Sequence, residues 1–206
     1  MANSRFTAVF SDIGGVLGTN GWDTALRMKI AAHFRCDPDE VQGRHRLMFD
    51  SYERGYMTFE AYIRQVFMFR PRHFTWEEVR DFAYNESIAW DQNIDLLRQL
   101  RRRNNITLAL ISNEGQGLTE HRVSKFGLRE ISDFMIFSYF VHLRKPDAEI
   151  WKLALNLAQV SPAESVYIDD RKIFADVAAQ LGFKSIHHET LERTRAQLQD
   201  LGFILE

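Results

Sequence analysis

Six polar residues stand where a packed strand or a plain turn has no need of them. Asp12 follows an apolar run, within FSDIGGVL. Ser112 and Asn113 follow another, within LALISNEG. Asp169 and Asp170 close a third, within VYIDDRK, and Lys145 lies in LRKPDAEIW. A carboxylate withdrawn from water is costly unless it is paired or bound to a metal. Three carboxylates brought together repel one another, and a divalent cation relieves that repulsion. Oxygen ligands with some water favour magnesium. A phosphate dianion then has a place between the cation and the lysine. Taken singly, these residues are ordinary. An aspartate after a strand is a common turn or capping residue, Ser-Asn is frequent in loops, Lys145-Pro146 suits a solvated turn, and Gly14-Gly15 is weak evidence of phosphate binding. Their joint order, after three separate apolar runs, is what points to one site.

The elements that must bring them together can be read from periodicity. Residues 6–11 form an apolar, β-branched run ending in a glycine turn, which predicts a buried strand. Helical spacing follows over residues 23–34, 38–51, 58–69 and 75–87, with no strand pattern between Asp23 and Trp90. Thr75-Trp76-Glu77-Glu78 has the form of a capping box, and Asp37-Pro38 that of an N-cap with proline at the first helical position. After Asp91, helices alternate with strands. Helices are expected over 93–103, 118–126, 147–157, 174–181 and 191–201, strands over 106–111, 134–138, 165–168 and 184–186. Gly127 and Gly182 close two of the helices. This alternation predicts an α/β fold, a Rossmann-like parallel sheet with helices on both faces. Residues 1–18 and 91–206 read as the core, and 19–90 as a helical insertion. In such sheets ligands bind at the carboxyl ends of strands, where Asp12, Ser112, Asn113, Asp169 and Asp170 lie.

Bulk properties set the bounds. A chain of 206 residues suffices for one sizeable domain with a small insertion, and 45% hydrophobic residues supply a packed core. With 26 basic and 28 acidic residues, the charge balance gives no reason to expect nucleic acid or a membrane as partner. Cys36 is the only cysteine, so no intrachain disulfide forms, and a reducing, cytoplasmic compartment fits. Residues 1–10 lack the pattern of a signal peptide, and no apolar stretch approaches the ~18 residues that span a bilayer. The sequence carries no internal repeat and says nothing of oligomeric state.

In order and placement, the four segments resemble the four motifs of the haloacid dehalogenase (HAD) superfamily. The resemblance covers residues 5–18 and about 91–206, nearly the whole core. The insertion, with Glu53-Arg54-Gly55-Tyr56-Met57-Thr58 ahead of a helix, resembles the cap of the subfamily whose cap is all helical. The resemblance implies a nucleophilic Asp12 that forms an aspartyl-phosphate. It implies a magnesium site made by Asp12, the carbonyl of Gly14, Asp169 and Asp170. Ser112 would hydrogen-bond a phosphoryl oxygen with Asn113 beside it, and Lys145 would neutralise charge on Asp12 and the phosphate. The implied substrate is a small phosphorylated metabolite.

Two positions depart from the usual phosphatase pattern. A second aspartate, acting as general acid and base, normally stands two residues after the nucleophile. Here that position is Gly14, and such an acid is worth roughly 10²–10⁴-fold in rate. A branch with Asp-x-Gly-Gly-Val at this point, some of whose relatives act on sugar 1-phosphates, resembles the sequence closely. Many relatives carry asparagine where this chain has Phe174, which can neither ligate nor hydrogen-bond, so a weaker metal surround is expected. Three readings follow: a phosphatase, a dehalogenase of the same fold, and a non-enzymatic protein that keeps the fold. The paired Asp169-Asp170 argues against the dehalogenase, which needs no metal. The many aromatics of the insertion, Trp22, Tyr52 and Tyr62 among them, read mainly as its own core. Asp23 and Glu114 are candidates for another acid, and His187-His188 reads as non-metal.

Overall fold

The computed structural model describes residues 5–205. The part of the leader reading that concerns residues 1–4 therefore lies outside the described residues. In chain order the elements are β1 (Ala8–Ser11), α1 (Thr24–His33), α2 (Pro38–Glu53), α3 (Phe59–Phe67), α4 (Trp76–Asn85), α5 (Asp91–Arg103), β2 (Thr107–Ser112), α6 (Leu118–Lys125), α7 (Leu128–Ile131), β3 (Phe134–Phe137), α8 (Ser138–Val141), α9 (Ala148–Ala158), β4 (Ser165–Asp169), α10 (Lys172–Gln180), β5 (Lys184–His187) and α11 (Leu191–Asp200).

The five strands form one sheet in the order β3-β2-β1-β4-β5, and every neighbouring pair is parallel. Alternation along the strands feeds two cores. Val9, Leu108, Leu110, Val166 and Ile168 point to one face and pack with Ile94, Leu97 and Leu198 of α5 and α11. Phe10, Ala109, Ile111 and Tyr167 point to the other and pack with Ile150, Trp151 and Ala178 of α9 and α10. Both faces are covered, as the near-continuous apolar runs require. This is the α/β architecture the sequence predicts.

Helices α1 to α4 fall between β1 and α5 and bury a third cluster of their own, which includes Ile30, Phe34, Tyr52, Tyr62, Val66 and Val79. Most of the aromatics singled out in this stretch do lie in that cluster. Each of the four helices starts on a side-chain cap. Asp23, Asp37, Thr58 and Thr75 accept from the backbone N–H groups of Leu26, Glu40, Ala61 and Glu78, and Thr75 with Glu78 completes the capping box. No helix of the described residues is long and apolar enough to cross a membrane.

Candidate active site

The chain leaves β1, builds outward through β2 and β3, then returns to lay β4 on the other side of β1. The strand order therefore switches direction between β1 and β4, and the crevice at their carboxyl ends is the expected ligand position. Asp12 is the first residue past β1, its N–H bonding to the Ile168 carbonyl at 2.8 Å so that the ladder fixes its direction. Asp169 ends β4 and Ser112 ends β2. Asp12, Asp169 and Asp170 each offer a carboxylate oxygen, and these oxygens lie within 4.8 Å of one another.

Lys145 comes from the loop between α8 and α9 and is fully buried. Its Nζ lies 2.7 Å from Asp169 Oδ2 and 3.1 Å from Asp12 Oδ2. Two hydrogen bonds aim it. The Asn113 side chain accepts from the Lys145 N–H and donates to the Lys145 carbonyl, both at 2.8 Å. Asn113, expected beside the substrate, lines the cleft, and its amide also grips the Lys145 backbone. Asp169 is well satisfied, by Lys145, by the Tyr167 hydroxyl and by the Arg171 N–H. Asp12 Oδ1 and Asp170 Oδ1 are different: both are buried with no hydrogen-bond partner among the described residues.

Charge decides what these two oxygens need. One ammonium against three carboxylates leaves two negative charges in excess, in a region withdrawn from water. Burial pushes the Asp12 carboxyl up to about 7, Lys145 opposes that rise, and Asp169 and Asp170 add to it. Asp170 is likewise raised, mainly by burial. Burial works against the Lys145 ammonium too, but Asp12 and Asp169 outweigh it and its pKa is raised. A divalent cation with oxygen preference matches the orphaned oxygens, the spacing and the excess charge. Backbone geometry supports the cluster. Gly15 has φ +68°, and a Cβ there would come within 2.2 Å of Asp170 Oδ2, so only glycine fits.

The cleft over this cluster holds roughly 620 Å³ of empty space, open solvent at its mouth included. Its floor includes Asp12, Gly14, Ser112 and Lys145. Trp22, Asp23, Tyr52 and Glu53 enter from the insertion, Arg144, Arg171 and Phe174 from the core. Glu53 pairs with Arg144 across the seam, Nη2 to Oε2 at 2.5 Å, and burial still leaves the Glu53 carboxyl raised. The Phe174 ring centroid is 5.1 Å from Lys145 Nζ, so the residue that cannot ligate instead presents a π face to the lysine.

The structure thus gathers Asp12, Gly14, Ser112, Asn113, Lys145, Asp169 and Asp170 about one cleft. Asp23 caps α1, and Glu114 is held in a buried pair with Arg122 while accepting from Ser112 Oγ at 3.3 Å. His187 and His188 bond to the Asp170 carbonyl and to Thr194. Three contributors escaped the sequence reading: Asn20, which donates to Asp170; Tyr167, which donates to Asp169; and Arg122, which neutralises Glu114. Asn20 and Arg122 carried no motif signal. Tyr167 could have been found from its place two residues before Asp169 on the same strand face.

Comparison with known proteins agrees with this architecture. A haloacid dehalogenase-like hydrolase family model matches residues 6–182. "Haloacid dehalogenase-like hydrolase domain-containing protein 3" of Bos taurus is 42% identical over 74 residues, 36% of this chain and 29% of that protein, so the match spans less than a third of that relative's length. A HAD family enzyme of Bacteroides thetaiotaomicron, solved with magnesium and inorganic phosphate, superposes with TM-score 0.74 at 21% identity, over 92% of this chain and 98% of that one. An L-2-haloacid dehalogenase of Xanthobacter autotrophicus, with chloropropionic acid covalently bound, gives TM-score 0.62 at 17% identity, over 95% and 83% of the two chains. These two likenesses concern the fold. The family match runs from β1 to the end of α10 and contains every residue of the cleft floor, and by it the chain belongs to the haloacid dehalogenase-like hydrolases.

Proposed function

We propose that this hydrolase cleaves small phosphate monoesters, with Asp12 as nucleophile and magnesium as its metal. The observation that carries the reading is the set of three carboxylates, two of them with orphaned oxygens, and one buried lysine that bridges Asp12 and Asp169. The magnesium and phosphate bound by the Bacteroides enzyme of the same fold lend it support. Asp12, Asp169, Asp170 and the Gly14 carbonyl would hold the metal. When bound, magnesium supplies countercharge to the carboxylates and to the phosphate oxygens.

The chain's own residues do the rest. Lys145 keeps the Asp12 carboxylate in place and offers positive charge to the phosphoryl group. An Asp12 oxygen forms a bond to phosphorus while the ester P–O bond breaks, and the departing oxygen takes a proton from water. Water then attacks the phosphorus of the aspartyl-phosphate, its P–O bond to Asp12 breaks, and free phosphate leaves. Ser112 contributes a hydroxyl at the phosphoryl group. Most of the rate gain in such transfer is positioning and charge neutralisation, which this cluster is built to supply. We read α1 to α4 as an all-helical cap that closes over a small metabolite with Trp22, Tyr52 and Glu53. Gly14 leaves the leaving group without an acid two residues past the nucleophile. Substrates with good leaving oxygens, aryl, acyl or anomeric, are therefore preferred.

Phosphate release from an aryl phosphate, with and without magnesium, tests the reading. Release that requires magnesium and disappears in Asp12→Asn is expected, with the fold intact because the change is nearly isosteric and removes one crowded charge. Release by Asp12→Asn at the original rate would remove Asp12 from its role. The dehalogenase alternative predicts halide release from 2-haloacids without metal, assayed on the same protein. The non-enzymatic alternative predicts neither release, with magnesium still raising the melting temperature.

A further inference from the structure

The place of the missing second aspartate is occupied. The Gly14 backbone lies outside the left-handed region, so strain does not demand glycine there. Space does. A Cβ on Gly14 would lie 2.8 Å from Asn20 Oδ1, closer than such atoms approach, whereas the next neighbour, Asn20 Cα, is at an ordinary 3.5 Å. One atom, the tip of one side chain, must move aside before position 14 takes a longer residue, and that tip is tethered by its amide to Asp170. The other end of the same amide is engaged, Nδ2 donating to Asp170 Oδ2 at 3.3 Å. A tight turn presents Asn20 to the cleft, with the Gly15 N–H bonded to the Gly18 carbonyl at 2.8 Å.

We propose that Asn20 is a positioning residue of this site, and that Gly14 and Asn20 are a matched pair sharing one space. Asn20 orients Asp170 from the position a residue-14 side chain would need. An amide gives hydrogen bonds but no proton, so the exchange leaves the cleft hydrogen-bonding capacity without acidity. An acid returns freely at position 14 only if Asn20 is shortened; otherwise it must displace Asn20 from its hydrogen bond to Asp170. The steric half of this inference stands on geometry alone, and the catalytic half rests on the phosphatase reading.

A double-mutant cycle separates the two. In metal-free protein, Gly14→Ala lowers the melting temperature by about 3 °C or more, and the same change costs less in an Asn20→Ala background. Additive shifts would overturn the pairing, whether or not the protein releases phosphate. Asn20→Ala also weakens the apparent magnesium affinity about tenfold, read as the metal concentration needed to raise the melting temperature. An unchanged magnesium response would overturn the positioning role. Across aryl phosphates of graded leaving-group acidity, Gly14→Asp with Asn20→Ala flattens the rate dependence, and Gly14→Asp alone does not. Flattening by Gly14→Asp alone would show that Asn20 does not exclude the acid. Absence of any release by the unmodified protein would count against the phosphatase reading and leave the melting cycle as the test of the pair.

Discussion

The helices of the insertion and the helices of the core begin differently. All four helices of the insertion start on an Asp or Thr whose side chain caps the first turn. In the core, α5, α6, α9 and α10 start without a side-chain cap among the described residues, and α11 alone is capped, by Thr190. The core helices are fixed by apolar packing on a sheet buried on both faces, and α6 and α10 begin at the cleft, where Leu118 and Arg171 help to line it. Buried ion pairs divide the same way, although α1 buries Arg27 against Gln42, Thr24 and the Trp22 carbonyl, and the core surface has exposed pairs of its own such as Lys172–Asp176. The core buries Lys145, Asp169, Glu114 and Arg122, while the insertion holds exposed ion pairs such as Arg64–Glu60 and Lys29–Glu86. The insertion therefore adds local capping terms to its own apolar cluster, whereas the core adds a few buried, non-local ion pairs to its packing.

The largest effect should come from the core. Lys145→Met keeps the side-chain volume but leaves three carboxylates without their buried cation. Losing one partner of a buried pair costs about 3–5 kcal/mol, and urea unfolding of the metal-free variant should show a loss of that order. Magnesium should restore part of the stability but not the activity. A loss under about 1 kcal/mol would mean that Lys145 behaves as a surface charge, and the contrast with the insertion would disappear.

A single capping substitution in the insertion should cost far less. Thr75→Ala removes the side-chain half of the capping box on α4. The expected loss is about 1 kcal/mol, with phosphate release unchanged because Thr75 lies away from the cleft. Chemical denaturation of this variant beside Lys145→Met measures the ratio directly. Equal losses would show that α4 is held by more than its local signals.

The same division explains what could be read before the fold was known. Capped starts are written in adjacent residues, so Asp37-Pro38 and the Thr75 box located α2 and α4 to within a residue or two. Strand positions followed from apolar runs, because a parallel sheet buried on both faces needs them. The one-turn helices α7 and α8 are too short to show a period: the sequence predicts no element over residues 128–131, and it reads Ser138, where α8 begins, as the end of a strand. At the site, residues directly after strands were legible: Asp12, Ser112, Asp169. The residues that hold them were not. Asn113 lines the cleft as its position suggests, but spacing cannot show that its amide also grips the Lys145 backbone. Asn20 lies six residues past Gly14 in an unremarkable turn, and only the fold brings it against Asp170. Phe174 looked like a loss, since its 5.1 Å approach to Lys145 depends on how α10 packs.

A pH effect also belongs to the insertion. His45 on α2 is half-buried, and its Nδ1 lies 2.7 Å from the Tyr62 hydroxyl. That hydroxyl already accepts the Trp22 indole N–H at 2.7 Å, so its own proton is free to point at His45, which must then be neutral at Nδ1. Protonation would set an N–H against the hydroxyl and leave the phenolic proton without its acceptor. Burial, with help from Arg27 and Arg46, accordingly pushes the His45 pKa down to about 4. The unfolded chain takes up this proton near 6.5, before the folded one does. Stability contributed by neutral His45 is therefore full above pH 6.5 and is lost progressively as pH falls toward 4. In the metal-free protein the core titrates with the opposite sign. Asp12, raised to about 7, binds its proton in the folded state first and gains stability over the same range. Absolute slopes therefore mix the two regions, and the difference between the unmodified protein and His45→Gln isolates the insertion. Urea unfolding from pH 7.5 to 4.5 should show stability falling more steeply with acid in the unmodified protein than in the variant. Because Trp22 also lines the cleft, KM should rise with acid more in the unmodified protein. Parallel stability profiles would mean that His45 is already solvated, and that the aromatic chain from α2 to the cleft carries no pH dependence.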